Sequence, residues 1–584
     1  MKINKLNTNL LQNTIKQPFN HRPLLFLVMM VLGFFCFASP QEEIYGQQKV
    51  NGKFKKKQFN KKQFNKKQGF QKIEQLEPPE DPLKQASRKP LADAQPITSL
   101  INREISYQLQ RATTPPSPKC TDEEFLRRVF LDIAGVVPNE ESAKRFLAST
   151  DKNKRAKLID ELLQSERYGR HLADVWTRLM FSRESDNRFV DPELLVNWLK
   201  KNFNENTPWN TMVYDLLSVT GPLDDHQEAT YLMANRGVDK MTDSVTKLFL
   251  GLQLQCAQCH NHPFTAWKQT DYWGLAQFFY KVNAIIALPK QKGKGKSPGI
   301  YEIVQPNRKK NALPDSAKSV DPRFLDGTKV SLSTGESYRE PLAQWVTSPK
   351  NPWFAKAMVN RIWSQFYGRG LINPVDDVDE ANAPSHPELL AGLTKEFIDS
   401  GFDVKRLIRG ICNSDAYQRS SVPLPSNKQD KVLYSHMAIR SLSPEAIFDS
   451  LAMIRRVNPL TQKGIAPKNK MQPGLARTPR DRFVVFFDIP ETSKATDYDV
   501  GIPQVLRLMN ARNNNLAPDL IQSLTRTNDP DAIIEKLYLR VLARKPTVSE
   551  NRQMTRYLLL NNRFNALTDI WWVLVNSSEF ALNR

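Results

Sequence analysis

From Ile97 to the C-terminus, apolar side chains recur three and four residues apart, and the two-residue alternation of strands is scarce. That spacing commits most of the chain to helices packed on helices and excludes a large sheet. Thr121, with Glu124 three residues later, reads as a capping box opening a helix on which Phe125, Val129 and Ile133 share a face. Pro138 and Asn139 start a second helix through Phe146 and Leu147. Further helices are predicted at 154–163, 168–181, 192–203 and 209–217. Thr242 opens a longer run, TDSVTKLFLGLQLQC, with Val245, Leu248, Phe249 and Leu252 on one face; an aromatic-rich segment extends from Trp267 to Val282.

The pattern breaks between Pro289 and about Pro341, where KQKGKGKSPG and NRKKNALPDSAK read as linker. Within it, 300–304 (IYEIV) and 328–333 (TKVSLS) have the composition of short strands. Helical spacing resumes at Leu342 and holds to the end, apart from 481–490 (DRFVVFFDIP), which reads as a short buried strand. The fold class expected is therefore mainly α: two helical domains joined by a basic linker with a few short strands. The expected boundaries are a signal peptide or N-terminal anchor at 1–40, a low-complexity stretch and linker at 41–94, one helical domain at 95–285, the basic linker at 286–340 and a second helical domain at 341–584.

The leader rests on Lys2, Lys5, Lys16 and Arg22, the apolar run from Pro23 to Ala38, and the small residues and turn-former Ala38, Ser39 and Pro40. That run is short for a membrane-spanning helix, which needs roughly 20 residues. An exported protein of the periplasm or cell envelope is expected, membrane-anchored if the leader is not cleaved. Lys, Gln and Asn dominate the next thirty or so residues, with the near-repeat KKKQFN-KKQFN-KKQGF, and no apolar period is sustained. This tract is either a tether to anionic envelope polymer or membrane surface, or a solvated spacer.

Net charge gives a misleading first impression. The formal +22 suggests a nucleic-acid binder. Residues 1–72 hold 14 Lys and Arg against two Glu, and residues 290–310 hold seven against one, so +12 and +6 are local. The other 491 residues carry only +4, and no nucleic-acid motif is present, so no nucleic-acid partner is expected.

Chemistry is suggested by Cys256-Ala-Gln-Cys259-His260, the CxxCH spacing of c-type haem attachment. Two thiols three residues apart can form thioethers to both vinyl groups of one porphyrin, and the adjacent imidazole can ligate the iron. Three alternatives stay open. A thioredoxin-like pair would sit at a helix N-terminus, whereas this one follows a helical run. Zinc could be held by Cys256, Cys259, His260 and His262, although adjacent Cys and His ligands fit a tetrahedron awkwardly. The bland reading is a Cys256–Cys259 disulfide, or buried thiols. Five cysteines are too few for a disulfide scaffold, and Cys120 and Cys412 sit in different predicted domains.

At this motif the chain resembles a known family. FLGLQLQCAQCHNHPFTAWKQTDYWGLAQFF (249–279) looks like the signature of the planctomycetal cytochrome-C-type domain of unknown function. RRVFLDIAGVVP, ERYGRHLADVW, the DNR at 186–188 and VDKMTDSVTKLFLGLQ match upstream. Residues 351–390, 401–421 and 439–451 resemble the domain that usually accompanies it, also of unknown function. The resemblance covers most of 95–584 and implies an exported, haem-related envelope protein without supplying a reaction. Many relatives carry a further N-terminal cytochrome-like domain, replaced here by the basic tract. Many also read HDHPFD, whereas this chain has Asn261 and Thr265, so no acidic neighbour is assured for His260 or His262.

The cofactor expected is haem c on Cys256 and Cys259 with His260 on the iron; the alternative is zinc with His262 among the ligands. The second axial position has no assignment: His171, His226, His386, His436, Met233 and Met241 are candidates, and His262 is too close in sequence to His260. A redox partner protein would follow from electron transfer. Trp267, Tyr272, Trp273, Phe278 and Phe279 either wall a haem crevice or form core. Asn360, Arg361, Arg369, Asp376, Asp377, His386 and Glu388 form a polar stretch that could bind a metal or polar substrate, or supply salt bridges and a helix cap around Ser385 and Pro387. Whether the protein is an enzyme is not readable from these residues; the contrasting function class is a non-redox envelope scaffold with CxxCHxH as a staple.

Overall fold

The structure, a computed structural model, describes residues 82–87, 89–181, 190–285, 298–302, 317, 319–333, 335–379, 382–455, 478–487 and 518–584. The chain divides after Lys72, and every described residue belongs to the second unit, Ile73–Arg584. The leader, the Lys/Gln/Asn tract, His21, the 186–188 motif and most of the basic linker lie outside the described residues.

Helices dominate, as the apolar spacing requires. Those that bear on the site are α1 (Asp122–Val129), α2 (Glu166–Met180), α3 (Val238–Val245), α4 (Gln269–Ala276), α5 (Phe354–Tyr367), α6 (Pro387–Asp399), α7 (Pro444–Arg455) and α8 (Pro479–Phe486). Among the described residues no helix is long and apolar enough to cross a membrane. Strands β1 (Gly221–Pro222), β2 (Val282–Ile285) and β3 (Gly299–Glu302) form an antiparallel sheet with β3 in the middle, Ala284 facing Ile300. Strand β4 (Arg440–Ser441) pairs with β5 (Leu582–Asn583), next to the C-terminus.

The expected strand at 300–304 is present as β3 as far as Glu302, and residues 303 and 304 lie outside the described residues. Residues 328–333 contribute only a single bridge, Lys329 to Arg323. The expected strand at 481–490 is overturned: 479–486 is helix α8. Thr478 accepts from the Asp481 N–H (3.1 Å), and the Asp481 carboxylate accepts from the Thr478 N–H (2.8 Å). With Pro479 in the first turn, this capping box outweighs the strand preference of Phe483, Val484 and Val485. At α1 the expected box is only half made. Thr121 accepts from the Glu124 N–H (3.3 Å), but the Glu124 carboxylate takes Arg128 (2.6 Å) and the Ser421 N–H (2.7 Å).

Those contacts show how the two halves pack. The larger apolar core joins Trp176 and Trp209 to Phe354, Trp363 and Leu407 without a break. A second core gathers Leu131 and Val137 from the first half among Ile447, Tyr538, Leu567 and Trp571 of the second. Two arginines of α1 are buried across this boundary. Arg127 donates to the carbonyls of Phe580 (2.8 Å) and Val541 (3.5 Å), and Arg128 to those of Tyr417 (2.7 Å), Arg419 (3.0 Å) and Arg584 (3.0 Å).

A buried ionic seam reinforces the packing. Helix α2 turns Arg167, Arg170, His171, Asp174 and Arg178 to one side, at positions i, i+3, i+4, i+7 and i+11. Arg480 of α8 bridges Asp174 (2.6 Å) and Asp449 of α7 (2.9 Å), while Arg167 also reaches Asp449 (3.3 Å). These Arg partners hold the Asp174 and Asp449 carboxyls below the usual range despite burial, which acts in the opposite direction.

Candidate functional site

The run that opens at α3 does not continue as one α-helix into the cysteines. After Val245 it widens to a π-helical turn, Thr246–Leu250, and stops at Gly251, whose φ of +68° lies in the left-handed region. The cysteines then lie on a turn of their own, a 3-10 helix at Gln255–Gln258 closed by Cys259. Side chains three apart eclipse in 3-10 geometry, so Cys256 and Cys259 leave the turn on one side. Both thiols are free and exposed. Neither thiol is buried.

Helix α4 holds this turn from below. Gln269 donates to the carbonyls of Gln258 (3.1 Å) and Cys259 (2.9 Å), and Trp273 Nε1 to that of Gln258 (3.0 Å). Asn261 Oδ1 accepts from the Gln269 N–H (3.0 Å), tying the residue after His260 to the start of α4. Tyr272 donates its hydroxyl to Asp243 of α3 (3.1 Å). Burial, with Asp239 adding, pushes the Asp243 carboxyl up to about 6, against the Tyr272 bond and Lys247. None of Gln269, Asn261 and Asp243 is singled out by sequence spacing. Their signal is packing between α3, α4 and the turn.

The two histidines are in opposite states. His260 is exposed, and its Nδ1 lies 2.7 Å from the Asn261 carbonyl oxygen. A carbonyl only accepts, so Nδ1 carries the proton and the Nε2 lone pair is left for a ligand. His262 Nδ1 instead accepts from the N–H groups of Phe264 (3.3 Å) and Thr265 (3.1 Å), which leaves the proton on Nε2. Among the described residues no three His, Cys, Asp or Glu side chains come together to hold a metal ion. Cys256, Cys259, His260 and His262 thus do not converge as a zinc tetrahedron.

Residues 100–284 match the family PSCyt2, a protein of unknown function (DUF1549), and residues 338–558 match PSD1, a protein of unknown function (DUF1553). The chain pairs a PSCyt2 domain with a PSD1 domain. No curated protein and no solved structure matches it. The cysteine turn and α4 belong to the PSCyt2 match, and the polar stretch from Asn360 to Glu388 to the PSD1 match.

The structure splits that stretch. Asn360 of α5 is buried and holds the following loop, donating to the carbonyls of Ile372 (2.9 Å) and Val375 (3.2 Å). The loop brings Asp376 and Asp377 to the PSCyt2 turn: Gln253 donates to Asp376 (3.4 Å), and Lys247 pairs with it (3.5 Å). Arg361, half-buried, donates to the Lys247 carbonyl (3.2 Å). His386 lies elsewhere, against Tyr434 and Ser385, where burial pushes it down to about 4. It takes the N-cap position of α6 without a side-chain bond, with Pro387 behind it, so Ser385 is not the cap. Arg369 offers its carbonyl to the Tyr434 hydroxyl (3.5 Å), and Glu388 is exposed.

The remaining candidate iron ligands have surroundings of their own. His171 lines a cavity of about 10 Å³ with Arg170, Asp174 and Glu445. His226 meets Glu228 (3.1 Å), His436 meets Ser435 (3.4 Å), and Met233 and Met241 are buried in core. Tyr272, Trp273, Phe278 and Phe279 are core as well, Phe278 stacking on Phe324, while Trp267 is half-buried against Trp353. Cys120 and Cys412 are separate buried free thiols. For a haem of the c type the donor set fits: two exposed, eclipsed thiols and an imidazole whose Nε2 is uncommitted. The aromatic side chains do not wall a crevice.

Proposed function

We propose that the protein is an exported cell-envelope protein of the cytochrome c type, holding one covalent haem on Cys256 and Cys259 with His260 as the iron ligand. Its role is electron transfer or haem-dependent redox chemistry, with a redox partner protein, and the basic tract tethers it to anionic envelope polymer or membrane surface. The observation that carries this reading is the cysteine turn: free thiols in register on a 3-10 turn, followed by a histidine whose Nδ1 is bonded to a carbonyl. A haem bound there supplies a one-electron centre. The chain's own part is to hold the turn through Gln269 and Trp273 and to fix the His260 tautomer.

The test is expression, leader included, in a host competent in cytochrome maturation. A mass increase of one haem and a reduced-haem absorption spectrum are expected, both lost in Cys256→Ala/Cys259→Ala. Colourless, haem-free protein from that host overturns the reading, and stoichiometric zinc in such protein selects the scaffold alternative.

A further inference from the structure

Near the C-terminus, helix α9 (Val548–Leu560) and helix α10 (Arg563–Val575) meet at a two-residue turn, Asn561–Asn562. Both bury an inner side in the second apolar core; on α9 that side is Met554, Tyr557 and Leu558, at helical spacing. The opposite side is Ser549, Arg552, Gln553, Arg556, Leu559 and Leu560, at the same spacing, and all six are exposed. Leu559 and Leu560 are 68% and 71% exposed, and Phe564, on the first turn of α10, is 46% exposed. Apolar side chains exposed singly are ordinary on a protein surface. These three crowd one helix–helix turn, and none of them belongs to either core.

The charge on this side has one sign. Arg552 and Arg556 have no carboxylate partner among the described residues. The acids near α9 are held on its other sides: Glu550 pairs with Arg544 (2.8 Å), Asp531 accepts from Asn551 (2.9 Å) and Thr555 (2.8 Å), and Asp569 accepts from the Tyr557 hydroxyl (2.7 Å). Arg563 donates to the Thr527 carbonyl, tying the turn to a loop whose neighbouring Arg526 is exposed. Leucines and a phenylalanine beside unpaired arginines match a surface that is anionic outside and apolar just beneath. An anionic lipid layer has both parts, and an arginine stem can lie along the first while its head stays with the phosphates. A soluble polyanion would leave the leucines in water. An uncharged apolar partner would bury guanidinium groups without counter-charge.

We propose that the tip formed by Leu559, Leu560 and Phe564, with Arg552 and Arg556 beside it, docks on anionic phospholipid at a bilayer surface. The three apolar side chains enter the boundary between headgroups and acyl chains, and the two arginines pair with lipid phosphates. This is a contact of the folded unit itself, separate from anything the basic tract binds. It does not depend on haem at the cysteine turn. Because part of it is apolar, it also resists salt that screens a purely electrostatic tether.

The experiment is hydrogen–deuterium exchange on the full chain, as purified, read on peptides covering 556–566. It is run with vesicles of phosphatidylcholine alone and with vesicles of phosphatidylcholine mixed with phosphatidylglycerol. The mixed vesicles should slow exchange at 556–566, in high salt as well as low, and phosphatidylcholine alone should not. Leu559→Ser/Leu560→Ser should abolish the slowing and weaken partitioning to the mixed vesicles about tenfold, the loss expected for two leucines that leave an apolar environment. Arg552→Gln/Arg556→Gln should abolish the slowing too. All four positions are exposed, so both variants should melt as the wild type does. Slowing confined to Met1–Lys72, or equal slowing with the uncharged vesicles, overturns the proposal. So does slowing by heparin, which would make the partner a soluble polyanion, or by raised protein concentration alone, which would make it a second copy of this chain. Haem-free protein that shows the slowing defeats the haem reading alone; haem-loaded protein without it defeats this inference alone.

Discussion

At the residue scale, the cysteine motif was legible because it is local: five consecutive residues carry the thiols and the imidazole. What each histidine does was not legible. His260 and His262 differ in which backbone groups their Nδ1 atoms meet, and that depends on how 261–267 folds back toward α4. Asp243 illustrates the same point with a measurable consequence. Its carboxyl is raised from 3.8 to about 6, so the folded protein binds more protons than the unfolded chain between those values. The stability this contributes is present below about pH 3.8 and is lost as pH rises through 6. Asp243→Asn keeps an acceptor for the Tyr272 hydroxyl and removes the buried charge. Its urea midpoint should exceed that of the wild type at pH 7 and match it near pH 4; equal midpoints at pH 7 would count against the burial of Asp243.

At the scale of elements, periodicity found most helices; the one predicted at 154–163 is observed residue for residue as Lys154–Leu163. Its failures share a cause. In 481–490 the β-branched and aromatic residues suggested a strand, but the start of α8 is fixed by a capping box and by Arg480 lying between two carboxylates of distant helices. Only the first of those was present in the local sequence. The polar face of α2 could have been noticed, since Arg167, Arg170, His171 and Asp174 fall at helical spacing opposite Leu172 and Trp176, but its partners Glu445, Asp449 and Arg480 are far away in sequence. Arg480→Ala would leave Asp174 and Asp449 buried with half their compensation gone. A loss of about 3–5 kcal/mol is expected, read by urea unfolding. A loss below about 1 kcal/mol would place those carboxylates in contact with solvent.

At the scale of the whole molecule, the two family matches mark stretches of sequence and not separable bodies within the described unit. The apolar core passes between them, and α1 of the first buries both its arginines on carbonyls of the second. Residues 82–337 produced alone should therefore lack a cooperative unfolding transition and self-associate, with Arg127, Arg128 and the apolar surface around Trp176 uncovered. Circular dichroism and size-exclusion chromatography would check this, and a monomeric fragment with a sharp melt would refute it.

The pairing of Arg127 with the Phe580 carbonyl spans 453 residues. During synthesis at about 5–20 residues per second, the arginine waits on the order of tens of seconds for its acceptor to be made. For that interval the first half of the chain lacks the carbonyls its buried arginines need, and holdases could engage it. The fold thus delays its own completion until the chain has been polymerised to about Phe580, so the yield of folded protein should be sensitive to how quickly the codons of the second half are read.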